Sequence, residues 1–315
     1  MFRYVLKRVA MLIPVLLGVI FLVFFIMSLT PTDAADVMIG NEGTAEDLSR
    51  LREQLGLNRS LVARYFSYLA GLLRGDLGVS YSDGTKVIVH IVNKFPNTML
   101  LSFSAVVLAI MIGVPAGVIS AKKQYTFFDN IVTVTTLFGA AVPGFWIGLM
   151  GVLLFSVRLG WVPAAGMGEG FWEGLKCLIL PALTVSANTC AMITRQTRSS
   201  MLEVMHQGYV DTARAKGIKE AAVTFRHMLH NALIPIITVI GLQFGVLLGG
   251  SVITENVFAW PGLGRFVVDS IKSRDTPSVL GCVVVISVMF SIVNLIVDIL
   301  YAYVDPRIKS QYATK

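Results

Sequence analysis

The chain has 315 residues, 55% of them hydrophobic and only 14% charged, with a mean hydropathy of +0.73 and a net charge of +7. A soluble domain carries about 25% charged residues, so a soluble enzyme, a disordered chain and a secreted disulfide scaffold are all excluded. Long apolar runs separated by short charged ones are the pattern of a multi-span membrane protein. Cys177, Cys190 and Cys282 have no CxxC spacing, so neither a disulfide framework nor a zinc site is implied.

Arg3, Lys7 and Arg8 precede an apolar run from Val9 to Leu29. A cleaved signal has an apolar core of about 7–15 residues, and this run is longer, so it is read as a retained first span with Pro14 inside it. Five further spans are expected at Thr98–Ser120, Ile131–Val157, Cys177–Ile193, Ala232–Ile253 and Val279–Tyr303. The fourth is short, and Arg195 at its end is expected to extend it by snorkelling. Six spans put both termini on one side. Lysine and arginine number 14 on that side against 5 in the short loops opposite, which makes the termini and the loop after the fourth span cytoplasmic. The expected fold class is an all-α integral membrane protein of six transmembrane helices. It has a helical extracytoplasmic loop after the first span and a short cytoplasmic helix. The segments are 1–30, the cytoplasmic end and first span; 31–97, the outer loop; 98–303, five spans carrying the loop 201–231; and 304–315, a cytoplasmic tail.

The outer loop is patterned. Thr44 and Asp47 have capping-box spacing, Leu48, Leu51 and Leu55 follow on one helical face, and Gly56 ends the segment. A second amphipathic stretch runs from Ser60 to Arg74, and a third from Thr85 to Phe95, stopping at Pro96. Such helices lie on the bilayer surface or pack against a partner, and packing is preferred.

No catalytic constellation is found. The string Gly78–Lys86 has the wrong spacing for a Walker A loop, and His227 and His230 have no acidic or cysteine neighbour at ligand spacing. Asp298 is the only acidic residue inside an expected span, five residues from its end, and is read as an interfacial or partner-bonded carboxylate rather than a proton relay. The chain therefore has no evident internal energy source.

The loop after the fourth span is the informative stretch. Tyr209–Lys216 should form a helix ending at Gly217, with Asp211 near its N-terminal half and Lys216 at its C-terminal end, both matching the helix dipole. Ala213 and Ala215 are small enough for the helix to enter a cleft of another protein. Asn231 is expected to cap the next span, with Pro235 in its first turn. In that span Gly241, Gly245 and Gly249 recur every four residues, a close-approach face, while Gln243 points elsewhere and is expected to face a pathway. Beyond it, Trp260, Pro261, Gly262, Gly264 and Arg265 mark a tight outer turn, read equally as a gate or docking surface and as an interfacial anchor.

Asp211-Thr-Ala213-x-x-x-Gly217 resembles the EAA-x-x-x-G loop of permease subunits from ABC-type importers, with Asp211 for the usual Glu and Thr212 for an Ala. Thr212-Ala-Arg214-Ala215-Lys216-Gly217, with Arg226-His-x-Leu-x-Asn231-Ala-Leu-x-Pro235, is similar to the dipeptide/oligopeptide/nickel branch. Leu12–Gly18, Gly71–Gly78, Pro143-Gly-Phe-Trp146, Trp260–Arg265 and Asp298–Arg307 resemble that branch in the same order, in the pattern of the first of its two permeases. The resemblance implies a second, homologous permease, two cytoplasmic ATPases that bind ATP and Mg, and an extracytoplasmic substrate-binding protein. It implies a bacterial or archaeal cytoplasmic membrane, a coupling role for Tyr209–Gly217, and no enzymatic activity, cofactor or metal in this chain. Dipeptides or oligopeptides are the expected substrate, with nickel chelates, glutathione-like compounds or sugars as alternatives. A self-sufficient secondary transporter is the less favoured reading.

Overall fold

A computed structural model describes residues 2–30, 32–40 and 44–304. The side chain of Asp298 and the tail beyond residue 304 lie outside the described portion. Among the described residues the regular structure is helical, apart from one isolated antiparallel bridge between Val79 and Lys86. The chain divides into two units. One comprises Phe2–Thr98 and Pro261–Ser291, the other Met99–Trp260 and the stretch from Ile292 onward.

In the first unit, α1 spans Phe2–Ser28, with Pro14 inside it. The outer segment then folds as α2 (Ala34–Ile39), α3 (Ala45–Gln54) and α4 (Leu61–Leu72). The capping box is present: Thr44 accepts from the Asp47 N–H and Asp47 reaches back to the Thr44 N–H. A second box, Asp33 with Asp36, starts α2, and Arg52 of α3 bridges both carboxylates at 2.8 and 2.9 Å. Helix α4 packs on α1. Tyr65 donates to the Leu17 carbonyl at 3.1 Å and sits edge-on to Phe21 and Phe24, and the Arg64 guanidinium lies 5.4 Å above the Phe24 ring.

The third amphipathic stretch does not stop at Pro96. Helix α5 runs unbroken from Val87 to Lys122. Its buried face continues across the proline, with Val87 and Ile91 before it and Leu101 and Ala105 after it. In a helix covered by neighbours, one lost backbone bond is tolerated. The Gly78–Lys86 string serves packing. Asp275, at the start of α14 (Thr276–Val304), accepts from Ser80 Oγ at 2.6 Å, from the Tyr81 N–H at 3.1 Å and from Ser278 Oγ at 2.7 Å. Ile20, Phe24, Leu77, Val87, Ile91, Leu263 and Leu280 form this unit's core.

In the second unit the expected span Ile131–Val157 is broken. Helix α6 (Phe127–Ala141) and α7 (Gly144–Gly151), which continues as π-helix over Val152–Arg158, meet at a bend of 100°. Val142 takes ψ 129°, the extended conformation that a following proline imposes, and Pro143 begins the next helix. Helix α8 covers Phe171–Met205, so the fourth span is not short, and Arg195 lies ten residues, about 15 Å, before its end rather than at it. This unit's remaining helices are α9 (Gly208–Ala215), α10 (Glu220–Ala222), α11 (His230–Gly250) and α12 (Val252–Val257), while α13 (Leu263–Lys272) belongs to the first unit. A π-helical turn, Val223–Leu229, joins α10 to α11 in one apolar length from Glu220 to Gly249. Asn231 is therefore inside helix, where its amide donates to the His227 carbonyl at 2.6 Å, and it caps nothing. Pro235 likewise lies deep in the helix rather than in a first turn. Among the described residues five helices are long and apolar enough to cross a bilayer, and the bent pair makes six if it counts as one crossing.

Candidate functional site

Helix α9 is built as its sequence requires. Gly217 has φ +75°, the left-handed conformation that suits glycine. Its N–H bonds the Arg214 carbonyl at 2.9 Å, and the next N–H, of Ile218, bonds the Ala213 carbonyl at 3.3 Å. These two bonds, with Ile218 and Ala213 in one apolar cluster, make a Schellman stop. Val210 and Ala213 are buried against Val118 and Ala121 of α5, Met201 of α8, and Val223, Met228 and Ala232 beyond the loop. Ala213 is thus small because it meets this chain's own helices, not because it enters a partner. The outward face is Tyr209, Asp211, Thr212, Ala215 and Lys216. Arg214 bonds Glu220 at 3.3 Å and lies 3.6 Å from Asp211. The Glu220 hydrogen bond and charge raise the guanidinium's pKa above its ordinary value, and partial burial raises that of the Tyr209 phenol.

A further group, which the sequence pattern did not single out, links three helices. Asp129, 3% exposed, accepts from Nε and Nη2 of Arg198 at 2.7 and 2.8 Å, from the Ser120 hydroxyl at 2.5 Å and from the Tyr125 N–H at 3.0 Å. One carboxylate thereby ties α5, α6 and α8. The expected span began at Ile131, but the helix begins at Phe127, which draws Asp129 inside. The Thr126-x-x-Asp129 spacing, that of a helix start, is the signal that could have found it.

The close-approach glycines divide. An added Cβ at Gly241 would run into the Val297 side chain, so that position packs on the last helix. Gly245 is buried and Gly249 exposed. A second close contact, which the glycine spacing did not single out, is made by Gly113 and Gly117 of α5. Cβ atoms there would come 3.1 Å from the Cys190 carbonyl and 2.7 Å from the Thr194 carbonyl of α8. Gln243 lines a cavity of about 410 Å³ between α8 and α11, together with Arg195, Gln196, Ser199, Val239 and Leu242.

The outer turn is packing. Trp260 is fully buried with Leu101, Leu178 and Ala182, so its ring neither anchors in an interface nor presents itself to a partner. Pro261 and Leu263 are held by α5, whose Asn97 amide donates to the Pro261 carbonyl at 2.9 Å and whose Thr98 hydroxyl accepts from the Leu263 N–H at 2.8 Å. Gly262 and Gly264 are buried. Arg265 is half-buried, with Asp269 at 3.7 Å.

A helical chain with multiple apolar crossings, an outward-facing loop helix and a cavity between two of its long helices is a multi-span membrane protein in its construction. Residues 113–310 match the family described as the binding-protein-dependent transport system inner membrane component, and residues 1–102 match its N-terminal membrane component. The chain belongs to this family: it is a multi-pass inner-membrane permease component of the ABC-importer type. It is similar to the oligopeptide transport system permease protein AppB of Bacillus subtilis (strain 168), 42% identical over 98% of this chain and 100% of the relative. It is also similar to the dipeptide permease DppB of Alkalihalophilus pseudofirmus, 38% identical with the same coverage. The glutathione permease GsiC of Escherichia coli (strain K12) is 39% identical over 98% of this chain and 99% of the relative. In fold it matches an inward-facing MetNI methionine ABC transporter structure, with a TM-score of 0.57 at 17% identity over 69% of this chain and 96% of that one.

Proposed function

We propose that this permease forms half of the translocation path of an ATP-driven importer of dipeptides or oligopeptides. The observation that carries the reading is whole-length similarity, at 38% identity or more, to permeases named for oligopeptide, dipeptide and glutathione transport. All three substrates are short peptides. In this reading the second half of the path is a homologous permease, two cytoplasmic ATPases supply ATP and Mg, and an extracytoplasmic binding protein delivers substrate. The termini and α9 are cytoplasmic.

Helix α9 is the coupling element. Its outward face, Tyr209, Asp211, Thr212, Ala215 and Lys216, sits in a groove of the ATPase. Its inward face, Val210 and Ala213, transmits the push to α5, α8 and α11, and Arg214 and Gly217 set its angle. The Asp129–Arg198 pair, with Ser120, ties α5, α6 and α8 to one another. Gly241 and Gly245 pack spans together, and Gln243 faces the path.

Co-purification from the native host in mild detergent tests the proposal. Recovery of a second permease and ATPase subunits, with ATP hydrolysis stimulated by peptide-loaded binding protein, is the expected result. A monodisperse chain that moves solute in liposomes without any ATPase would establish a self-sufficient transporter instead.

A further inference from the structure

The cavity between α8 and α11 contains a charge that the fold does not use. Arg195 lies in its wall, and among the described residues no carboxylate is within ion-pair distance of it. Its guanidinium donates only to Met192 Sδ at 3.7 Å, a weak contact. Arg198, one turn further along the same helix, shows the contrast, because its Nε and Nη2 both donate to Asp129. An arginine on a membrane-spanning helix is costly unless it pairs or faces water, and the Arg195 side chain is exposed, open to the cavity rather than packed against a neighbouring helix. The rest of the wall is amphipathic. Gln196, Ser199 and Gln243 supply hydrogen-bonding groups, and Val239 and Leu242 supply apolar surface. Gln196 bonds only Ser200, at 3.0 Å, so one of its amide hydrogens and its carbonyl oxygen stay available.

We infer that Arg195 is a substrate-binding residue of the path, holding the C-terminal carboxylate of the transported peptide, with Gln243 and Gln196 bonding the adjacent peptide groups. The assignment rests on the peptide reading above and adds the atom-level recognition. A guanidinium forks onto a carboxylate with two parallel hydrogen bonds. A permanently charged arginine needs no proton transfer to do so. The donors and acceptors of two glutamines match those of a peptide unit, and Val239 and Leu242 accept side chains without discriminating among them. A station of this kind passes many peptide sequences while requiring the one group they share.

The test uses the whole transporter in liposomes, with its permease, ATPase and binding-protein partners. Uptake of a tripeptide with a free C-terminus is compared with uptake of its C-terminal amide, for the wild type, Arg195→Gln and Arg195→Lys. Dividing each variant's acid-to-amide ratio by that of the wild type cancels the preference of the binding protein. Arg195→Gln is expected to assemble and hydrolyse ATP, to lose about tenfold or more in uptake of the acid, and to keep uptake of the amide. Arg195→Lys, which keeps the charge but not the fork, should recover only part of the loss. Undiminished acid uptake by Arg195→Gln overturns the assignment while leaving the peptide reading intact. So does an equal loss for acid and amide, or failure of both variants to assemble, which would make Arg195 a subunit contact. A wild type that moves no peptide at all sinks the peptide reading and the carboxylate station with it.

Discussion

Replacing Gly117 by alanine adds one methyl group, and the structure states what that methyl meets. Its Cβ would lie 2.6 Å from Thr197 Cβ, 2.7 Å from the Thr194 carbonyl oxygen and 2.9 Å from Thr197 Cγ2. Ordinary contact begins at 3.4 Å, so α5 must retreat by about 0.8 Å at this point. A side chain could rotate aside, but the Thr194 carbonyl is backbone and moves only with α8. A gap of that size forfeits a quarter to a half of each dispersion contact across the helix pair, and overpacking of this kind costs about 1–3 kcal/mol. Alanine's helix propensity returns about 1 kcal/mol, leaving a net destabilisation of up to about 2 kcal/mol. Gly113, one turn away on the same face, loosens with it.

The three free thiols provide the assay, since Cys177 and Cys282 are buried. A thiol-reactive dye should label them as the detergent-solubilised protein unfolds, at a lower temperature for Gly117→Ala than for the wild type. Gly139→Ala is the control. Its Cβ would meet Ala187 O and Ala191 Cβ at 3.7 Å, ordinary contact, so its midpoint should match or exceed that of the wild type. A Gly117→Ala midpoint equal to or above wild type would refute the packing argument.

Asp129→Asn strands the Arg198 charge against a neutral amide and should cost about 3–5 kcal/mol. The double variant Asp129→Asn/Arg198→Gln should recover part of this in the same thiol melt, and no recovery would show that the pair is not coupled. Gly241→Ala should impair assembly of the permease, because Val297 occupies the space of the methyl. Val297→Ala in the same chain should restore it, and a Gly241→Ala protein that assembles unaided would count against close packing there. Gly217→Ala forces a side chain into the left-handed region and should loosen the end of α9, at about 1 kcal/mol. Faster amide exchange across Gly208–Ile218 is the readout, and unchanged exchange would remove the strain argument. In the outer segment the Asp36 carboxyl is held below its ordinary value of 3.8, first by the Asp33 backbone N–H and then by Arg52. A depressed carboxylate contributes stability that is present above the unfolded value and is lost as pH falls through the folded one. Amide protection of α2 and α3 should therefore be flat above about pH 5 and fall only below about pH 4. A loss centred near pH 6 would assign the effect to another group.

Hydropathy alone determined that the chain is a helical membrane protein with several apolar crossings. In lipid a spanning segment must satisfy its own backbone bonds, which leaves the helix as the structure for an apolar run of this length. Local chemistry was equally legible. The Thr44–Asp47 box, the Ser60 start of α4 and the Gly217 stop are settled by residues within a few positions of one another. Helix continuity was not. Pro96 and Pro181 stay inside helices while Pro143 breaks one at 100°, because the outcome depends on which neighbours cover the lost bond. Partners distant in sequence were hidden for the same reason. Asp129 and Arg198 are 69 residues apart, and neither residue's surroundings announce the other. Ala213 and Trp260 read as outward-facing from composition, but packing turned both inward. Arg195 read as the end of a span, and only the length of α8 and the wall of α11 opposite place it beside a cavity. A sequence records which groups a helix carries, whereas which of them are paired is decided by the helices that close around it.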